Sequence, residues 1–251
     1  MAHNEIINKK YWDNHWENVF KPTLITKNNY YSLFTSLFKK YLPYSKNFTC
    51  LEVGCVPGGF LINFKKIFGY KIYGIDYSDK IDFLKKNMSE NKIKDYTVWH
   101  ADLLKFKAKL RFDVVSSFGM LEHFIDPTPY IIKMTSLLKK GGYLIVEMPN
   151  FRNLQYILHY LNDKELLKKH NLKYMDINKL EKLISKNLHM KPIYAGYFGI
   201  IQDFPFKKSF PHNLLHYLTH RFNGVVNKLS LDVTLANPWT STSTVYIGKK
   251  L

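Results

Sequence analysis

Between Phe48 and Asn150 the chain repeats one unit, an apolar run of strand length followed by a turn and an amphipathic stretch with helical spacing. FTCLEVG (48–54) leads into GGFLINFKKIF (58–68), and KIYGID (71–76) into DKIDFLKKNM (79–88). YTVWHAD (96–102) and FDVVSSF (112–118) follow, then the helical PTPYIIKMTSLLKK (127–140) and the strand YLIVEMPN (143–150). Strands that alternate with helices form right-handed crossovers, which predicts an α/β fold, a doubly wound, mostly parallel sheet covered on both faces. Gly141 and Gly142 read as the stop of the preceding helix. Residues 1–47 read as an aromatic, helical N-terminal cap, 48–150 as the core, and 151–251 as a C-terminal helical insertion with closing strands. With 46% hydrophobic residues in 251, the chain can bury one core, and a single domain over 1–251 is expected.

The first turn carries the sharpest chemistry, in CLEVGCVPGGFL (50–61). A dinucleotide fold asks for G-x-G-x-x-G, whose second glycine admits a pyrophosphate, and here Val56 stands at that place. A P-loop asks for Lys and Ser or Thr after its last glycine, and Phe60 follows Gly59. What remains is an acid, Glu52, two residues before Gly54 at the carboxyl end of the first strand, where open α/β sheets bind ligands.

In this order of elements the chain resembles the class I S-adenosylmethionine-dependent methyltransferases. Glu52-Val53-Gly54-Cys55-Val56-Pro57-Gly58 is similar to that family's acid and G-x-G-x-G motif, with Val56 in place of the middle glycine. Asp76, in YGIDYS and followed by Tyr77, resembles the ribose-binding acid, and a carboxylate suits a vicinal diol because it accepts two hydrogen bonds. Asp102-Leu103 resembles the adenine-side pair, and Ser117-Phe118 leading into Gly119-Met-Leu-Glu122-His123 resembles the SxxxLEH segment of the small-molecule branch. The resemblance implies a Rossmann-like, seven-stranded sheet and S-adenosyl-L-methionine as cofactor. It places the cofactor against Glu52, Gly54, Cys55, Gly58, Asp76, Tyr77, Asp102, Leu103, Ser117 and Phe118.

The cap segment YWDNHW adds Tyr11 and Trp16 as an aromatic cover over the sulfonium or the acceptor. Methyl transfer is an in-line displacement, and a hydroxyl acceptor of high pKa needs a base. His123, just after the fourth strand, is the expected base, with a rate rising through the imidazole range, and His170 and His15 stand in reserve. His212, His216 and His220 have helical spacing without an accompanying carboxylate in HNLLHYLTHRF, so they read as the polar face of an amphipathic helix and no metal is assigned.

The net charge of +17 comes from lysines spread along the chain, with arginine only at 111, 152 and 221. That is a diffuse field which argues against sequence-specific nucleic-acid reading and suits a small anionic substrate or contact with an acidic membrane face. The segment after the fourth strand lacks the N-P-P-Y type motif of amine-directed DNA methyltransferases, and Cys50 and Cys55 both lie before it, so no nucleophile for cytosine C5 is present. Two cysteines give no disulfide framework, and no signal-peptide core or membrane span is read, which predicts a cytoplasmic protein. The LEH and EMPN segments, HNLKYMDINKL and IYAGYFG resemble bacterial enzymes that methylate small metabolites or sugars. The expected reaction is therefore O-methylation of a sugar, nucleotide-linked sugar or similar anionic metabolite for surface polysaccharide. The alternatives are N-methylation of a small amine and a non-catalytic binding module on the same fold.

Overall fold

The computed structural model describes residues 4–27, 29–199 and 235–251. The repeating unit builds β1 (Thr49–Val53), β2 (Lys71–Asp76), β3 (Tyr96–His100), β4 (Phe112–Phe118) and β5 (Leu138–Pro149), all parallel. β6 (Met190–Phe198) and β7 (Ser243–Lys250) complete a seven-stranded sheet in the order β3-β2-β1-β4-β5-β7-β6, with β7 antiparallel to both neighbours. The strand order reverses between β1 and β4, and the crevice above their carboxyl ends is where such sheets take ligands.

Helices α3 (Gly59–Phe68) and α4 (Ile81–Glu90) follow β1 and β2, and α5 (Thr128–Ser136) follows β4. α1 (Lys9–Val19) and α2 (Thr35–Tyr41) form the cap, and α6 (Leu154–Asn162), α7 (Lys164–Lys168) and α8 (Ile177–Asn187) follow β5. Alternation along each strand divides the core in two. Cys50, Val114, Ile145 and Ile247 face the aromatic cluster of α2 and α3, whereas Leu51, Val115, Val146 and Tyr246 face α5 and α8. No helix of the described residues is long and apolar enough to cross a membrane.

One boundary differs from the sequence expectation. α5 ends at Ser136, and Gly141 and Gly142 lie inside the twelve-residue β5, at a shift of register against β4. A Cβ on Gly142 would meet the Asp113 and Lys139 carbonyl oxygens at 3.0 Å, so the glycine serves a close backbone approach within the sheet and stops no helix. The stretch 154–170 is two helices, because Asp163 breaks the first and caps the second by accepting the Leu166 N–H at 3.0 Å. The histidine run at 212, 216 and 220 lies outside the described residues.

Candidate functional site

A cavity of ≈ 300 Å³ opens over the ends of β1, β2 and β4, under the cap. Its floor begins at the glycine loop. Gly54 adopts φ +72°, donates its N–H to the Ile75 carbonyl at 2.9 Å, and has the Met120 sulfur 3.1 Å from where a Cβ would sit. Only glycine permits both that backbone and that approach. Val56 packs in the aromatic core cluster while also lining the cavity, and its N–H donates to Asp76 Oδ2 at 2.8 Å.

Asp76 is half-buried at the end of β2 and also accepts the Ser78 N–H on Oδ1 at 2.8 Å. Burial raises its pKa to about 6 against the lowering effect of these backbone donors. Two of the roughly four lone-pair positions of a carboxylate are thereby used, which leaves acceptor capacity for a diol. Glu52 is 3% exposed, and its Oε2 has no hydrogen-bond partner among the described residues. Burial, then the charge of Asp76, holds its carboxyl well above the usual range. An orphaned carboxylate lining a cavity next to a second acid fits a cationic, ribose-bearing ligand such as S-adenosyl-L-methionine. Tyr77, Asp102, Leu103, Cys55 and Gly58 line the same cavity, with Asp102 holding its own loop through the Leu104 N–H at 2.9 Å.

The cap closes the cavity from above. Residues 4–6 pair with the chain after β4, with Ile6 N–H donating to the His123 carbonyl and Ile125 N–H to the Asn4 carbonyl, both at 2.8 Å. Asp13 fixes α1 to the loop after β2 by accepting the Ser78 hydroxyl at 2.7 Å and the Asp79 N–H at 2.9 Å. Trp12 and Trp16 line the cavity, and Trp12 meets the His123 ring edge-on at 4.9 Å.

Of the three histidines expected to act as bases, only His123 reaches the cavity lining. Its Nδ1 donates to the Lys169 carbonyl at 2.8 Å if the ring is neutral with the proton on that atom, which leaves the Nε2 lone pair free. Burial first, then His170, lowers its pKa to about 3, so the imidazole is neutral throughout the physiological range and the expected rise near pH 6 to 7 does not belong to it. His170 packs behind it at 4.5 Å between ring centroids, and His15 stacks in the cap on Tyr11, outside the lining. Glu122, His123 and His170 each bring one potential ligand atom within 4.8 Å of the others, the one such group among the described residues.

Two further expected residues stand apart from the lining. Ser117 is fully buried on the opposite sheet face from Phe118, since neighbours on a strand point apart, and Tyr11 supports the cap with Lys169 over its ring. Residues not singled out from the sequence complete the wall: Tyr30 and Tyr31 from the 3₁₀ turn 30–32, with Phe60 and Met120. Tyr31 lies directly over Gly59, where any Cβ would enter its ring. Nothing in NNYYS signals that contact, which depends on the path of the cap over α3.

The fold and this crevice define a cofactor-dependent transferase of the methyltransferase class. Residues 26–187 match the family described as "Methyltransferase domain", and the chain belongs to that family, whose cofactor is S-adenosyl-L-methionine. Among curated proteins it is similar to the ubiquinone biosynthesis O-methyltransferase of Pelagibacter ubique (34% identical over 125 residues, 49% of this chain and 51% of the relative). It is likewise similar to the protein of that name in Thiobacillus denitrificans (31% over 120 residues, 47% and 51%). The chain spans about half the length of the curated relatives it matches. Among solved structures it shares the fold of the N-methyltransferase NodS from Bradyrhizobium japonicum (TM-score 0.58, 12% identity, 97% of this chain and 99% of that one). The Haemonchus contortus phosphoethanolamine N-methyltransferase 2 gives a TM-score of 0.57 at 16% identity, over 86% of this chain and 51% of that one. These relatives correct one expectation. The LEH and EMPN segments suggested a sugar acceptor for surface polysaccharide, whereas the curated relatives that the chain matches are named for ubiquinone biosynthesis.

Proposed function

We propose that the protein is an O-methyltransferase whose acceptor is the hydroxyl of a ring compound of the quinone-precursor class for which its relatives are named. The observation that carries this reading is the composition of the cavity lining. Acids from the ends of β1, β2 and β3 share it with the aromatic rings of Trp12, Trp16, Tyr30, Tyr31, Phe60 and Phe118, which suit a flat apolar acceptor.

Asp76 would hold the ribose hydroxyls, Asp102 the adenine amino group and Glu52 the ammonium group of the cofactor, which when bound supplies an activated methyl group. The chain then has three tasks. The glycine loop and the acids fix the donor, and the aromatic rings orient the acceptor in line with it. The cap, tied down by Asp13 and by the pairing of residues 4–6, keeps water out. His123 offers its free Nε2 as a hydrogen-bond acceptor for the hydroxyl, and its low basicity suits a phenol better than an alkanol.

The experiment is transfer of a labelled methyl group from S-adenosyl-L-methionine to hydroxylated aromatic compounds, nucleotide sugars and primary amines in parallel. Label in the aromatic hydroxyl set supports the reading. Label confined to either other set, or no binding of the cofactor by calorimetry, overturns it.

A further inference from the structure

The turn that carries His123 is gripped by a segment 46 residues further along the chain. Each carbonyl from Glu122 to Ile125 has a donor. Asn171 N–H serves Glu122 at 2.6 Å and Ile6 N–H serves His123 at 2.8 Å, while Asn171 Nδ2 donates to Phe124 at 3.0 Å and to Ile125 at 2.8 Å. Asn171 thus supplies donors to three of the four, and its Oδ1 accepts the Lys173 N–H at 3.1 Å, which keeps the side chain aimed at the turn. Two residues before it, the Lys169 carbonyl accepts from His123 Nδ1 at 2.8 Å.

That last bond bears on the chemistry. A neutral imidazole carries its hydrogen on one nitrogen, and the partner of one nitrogen decides the state of the other. A carbonyl only accepts, so the hydrogen sits on Nδ1 and Nε2 keeps its lone pair. Among the described residues no other hydrogen bond competes for the ring. Glu122 Oε1 lies 3.7 Å from Nε2, beyond hydrogen-bond reach, and Trp12 and His170 meet the ring through aromatic contacts. Released from such a partner, an imidazole favours the other tautomer, with its hydrogen on Nε2, and would meet an acceptor hydroxyl as a donor. The helix before Lys169 does not fix the carbonyl by itself, since α7 buries only Leu167. His170 packs on His123 and Phe151, which keeps the segment near without bonding it to the 122–125 turn.

We propose that Asn171 is a positioning residue for methyl transfer: by clamping the 169–171 segment to the 122–125 turn, it holds the Lys169 carbonyl on His123 and keeps the imidazole in the tautomer whose Nε2 accepts a hydrogen. This rests on the assignment of His123 to the acceptor hydroxyl. Satisfying the carbonyls does not by itself call for the clamp, because Ile125 is 60% exposed and water serves a carbonyl there nearly as well as an amide does. The amide is specific to the task. Aspartate in its place lacks both side-chain donors and sets carboxylate oxygens against two carbonyl oxygens.

The test uses the full chain with isotope-labelled histidine, loaded with S-adenosylhomocysteine and read by nitrogen NMR, with His123→Gln to assign the ring signals. Wild-type His123 is expected to carry its hydrogen on Nδ1. Asn171→Asp should move the tautomer ratio towards Nε2–H by about five- to tenfold, as for the loss of one hydrogen bond. With catechol as acceptor, turnover should fall by about three- to thirtyfold while the KM for S-adenosyl-L-methionine stays within about twofold, because the donor's contacts lie elsewhere. Asn171→Ala removes the side-chain donors without adding charge and gives the same reading if Asn171→Asp does not fold. A tautomer unmoved by the substitution overturns the proposal, and so does a moved tautomer with unchanged turnover. The tautomer reading needs no acceptor. His123→Gln keeps the two readings apart: if it methylates catechol at the wild-type rate, the assignment of His123 falls, whereas a slow His123→Gln beside an unaltered Asn171→Asp refutes the clamp alone.

Discussion

Asp76 stands half-buried at the end of β2, held there by two backbone donors. Its position at the end of β2 is legible because strand ends in a doubly wound sheet face the crevice, but its two bonds to Val56 and Ser78 are visible only in the folded loop. Asp76→Ala should therefore loosen the loop as well as remove the ribose contact, lowering affinity for S-adenosylhomocysteine by about one to three decades in calorimetry. With its pKa raised to about 6, the charged form proposed to accept both ribose hydroxyls fades as pH falls. Affinity should be level above about pH 7 and fall by up to about tenfold per unit below 6, a limb that Asp76→Asn removes. An affinity that ignores pH from about 5 to 8 would falsify the assignment. Glu147 gives the opposite kind of test, in stability. Its folded pKa of about 7 lies above the ordinary carboxyl value of 4.5, so between those values the native state binds more protons than the unfolded one and stability falls as pH rises. Glu147→Gln should match the wild type near pH 4 and exceed it by on the order of 3 kcal/mol near pH 8, in urea unfolding at the two pH values. Neither Glu147 nor Glu122 stands out in EMPN or LEH as an unsatisfied acid, since burial and orphaned oxygens are properties of the packed chain. Ser117 is the converse. Naming it with Phe118 as one site overlooks that adjacent strand residues face opposite sides, a rule available from sequence alone.

Among the elements, the strands and the helices between them were legible because each has a clean period, two or 3.6. The cap was legible only as an amphipathic aromatic segment, and its docking was not, because the bonds that hold it come from Ser78, Asp79 and the chain around His123, far away in sequence. α1 has no fully buried residue, and its polar anchors act beside the packing of Trp16 on the core and of Trp12 on His123. Asp13→Ala removes the acceptor of two of those bonds and part of the Lys9 ion pair. The cofactor should then leave about five- to thirtyfold faster while thermal stability changes little, since opening a lid costs less than opening a core. Fast release in stopped flow with an unchanged melting curve is the expected pair of results; an unchanged release rate would show that the cap does not gate the site. Val56→Gly tests the other wall. It keeps the N–H that binds Asp76 but empties a core position, so stability should drop by about 1–3 kcal/mol while cofactor affinity stays within about tenfold.

At the scale of the molecule, the charge that looked like a signature for an anionic substrate surrounds a site built from acids. The field of +17 acts at long range, whereas Glu52, Asp76 and Asp102 act at short range on a ligand in the cavity they line. S-adenosyl-L-methionine carries a net positive charge and its demethylated product none, so the two ligands separate the far field from the near one. At low ionic strength, where the Debye length reaches about 30 Å at 0.01 M, the whole surface repels the methyl donor; at 0.15 M the length falls to about 8 Å and only the acids of the cavity are felt. Association of S-adenosyl-L-methionine should therefore quicken as salt rises over that range, while association of S-adenosylhomocysteine changes by less than about twofold. Trp12 and Trp16 line the cavity, so their fluorescence in stopped flow reports both ligands without a label. A donor whose association slows with added salt would mean that the lysines lie away from the entrance and that acidic steering dominates from the start.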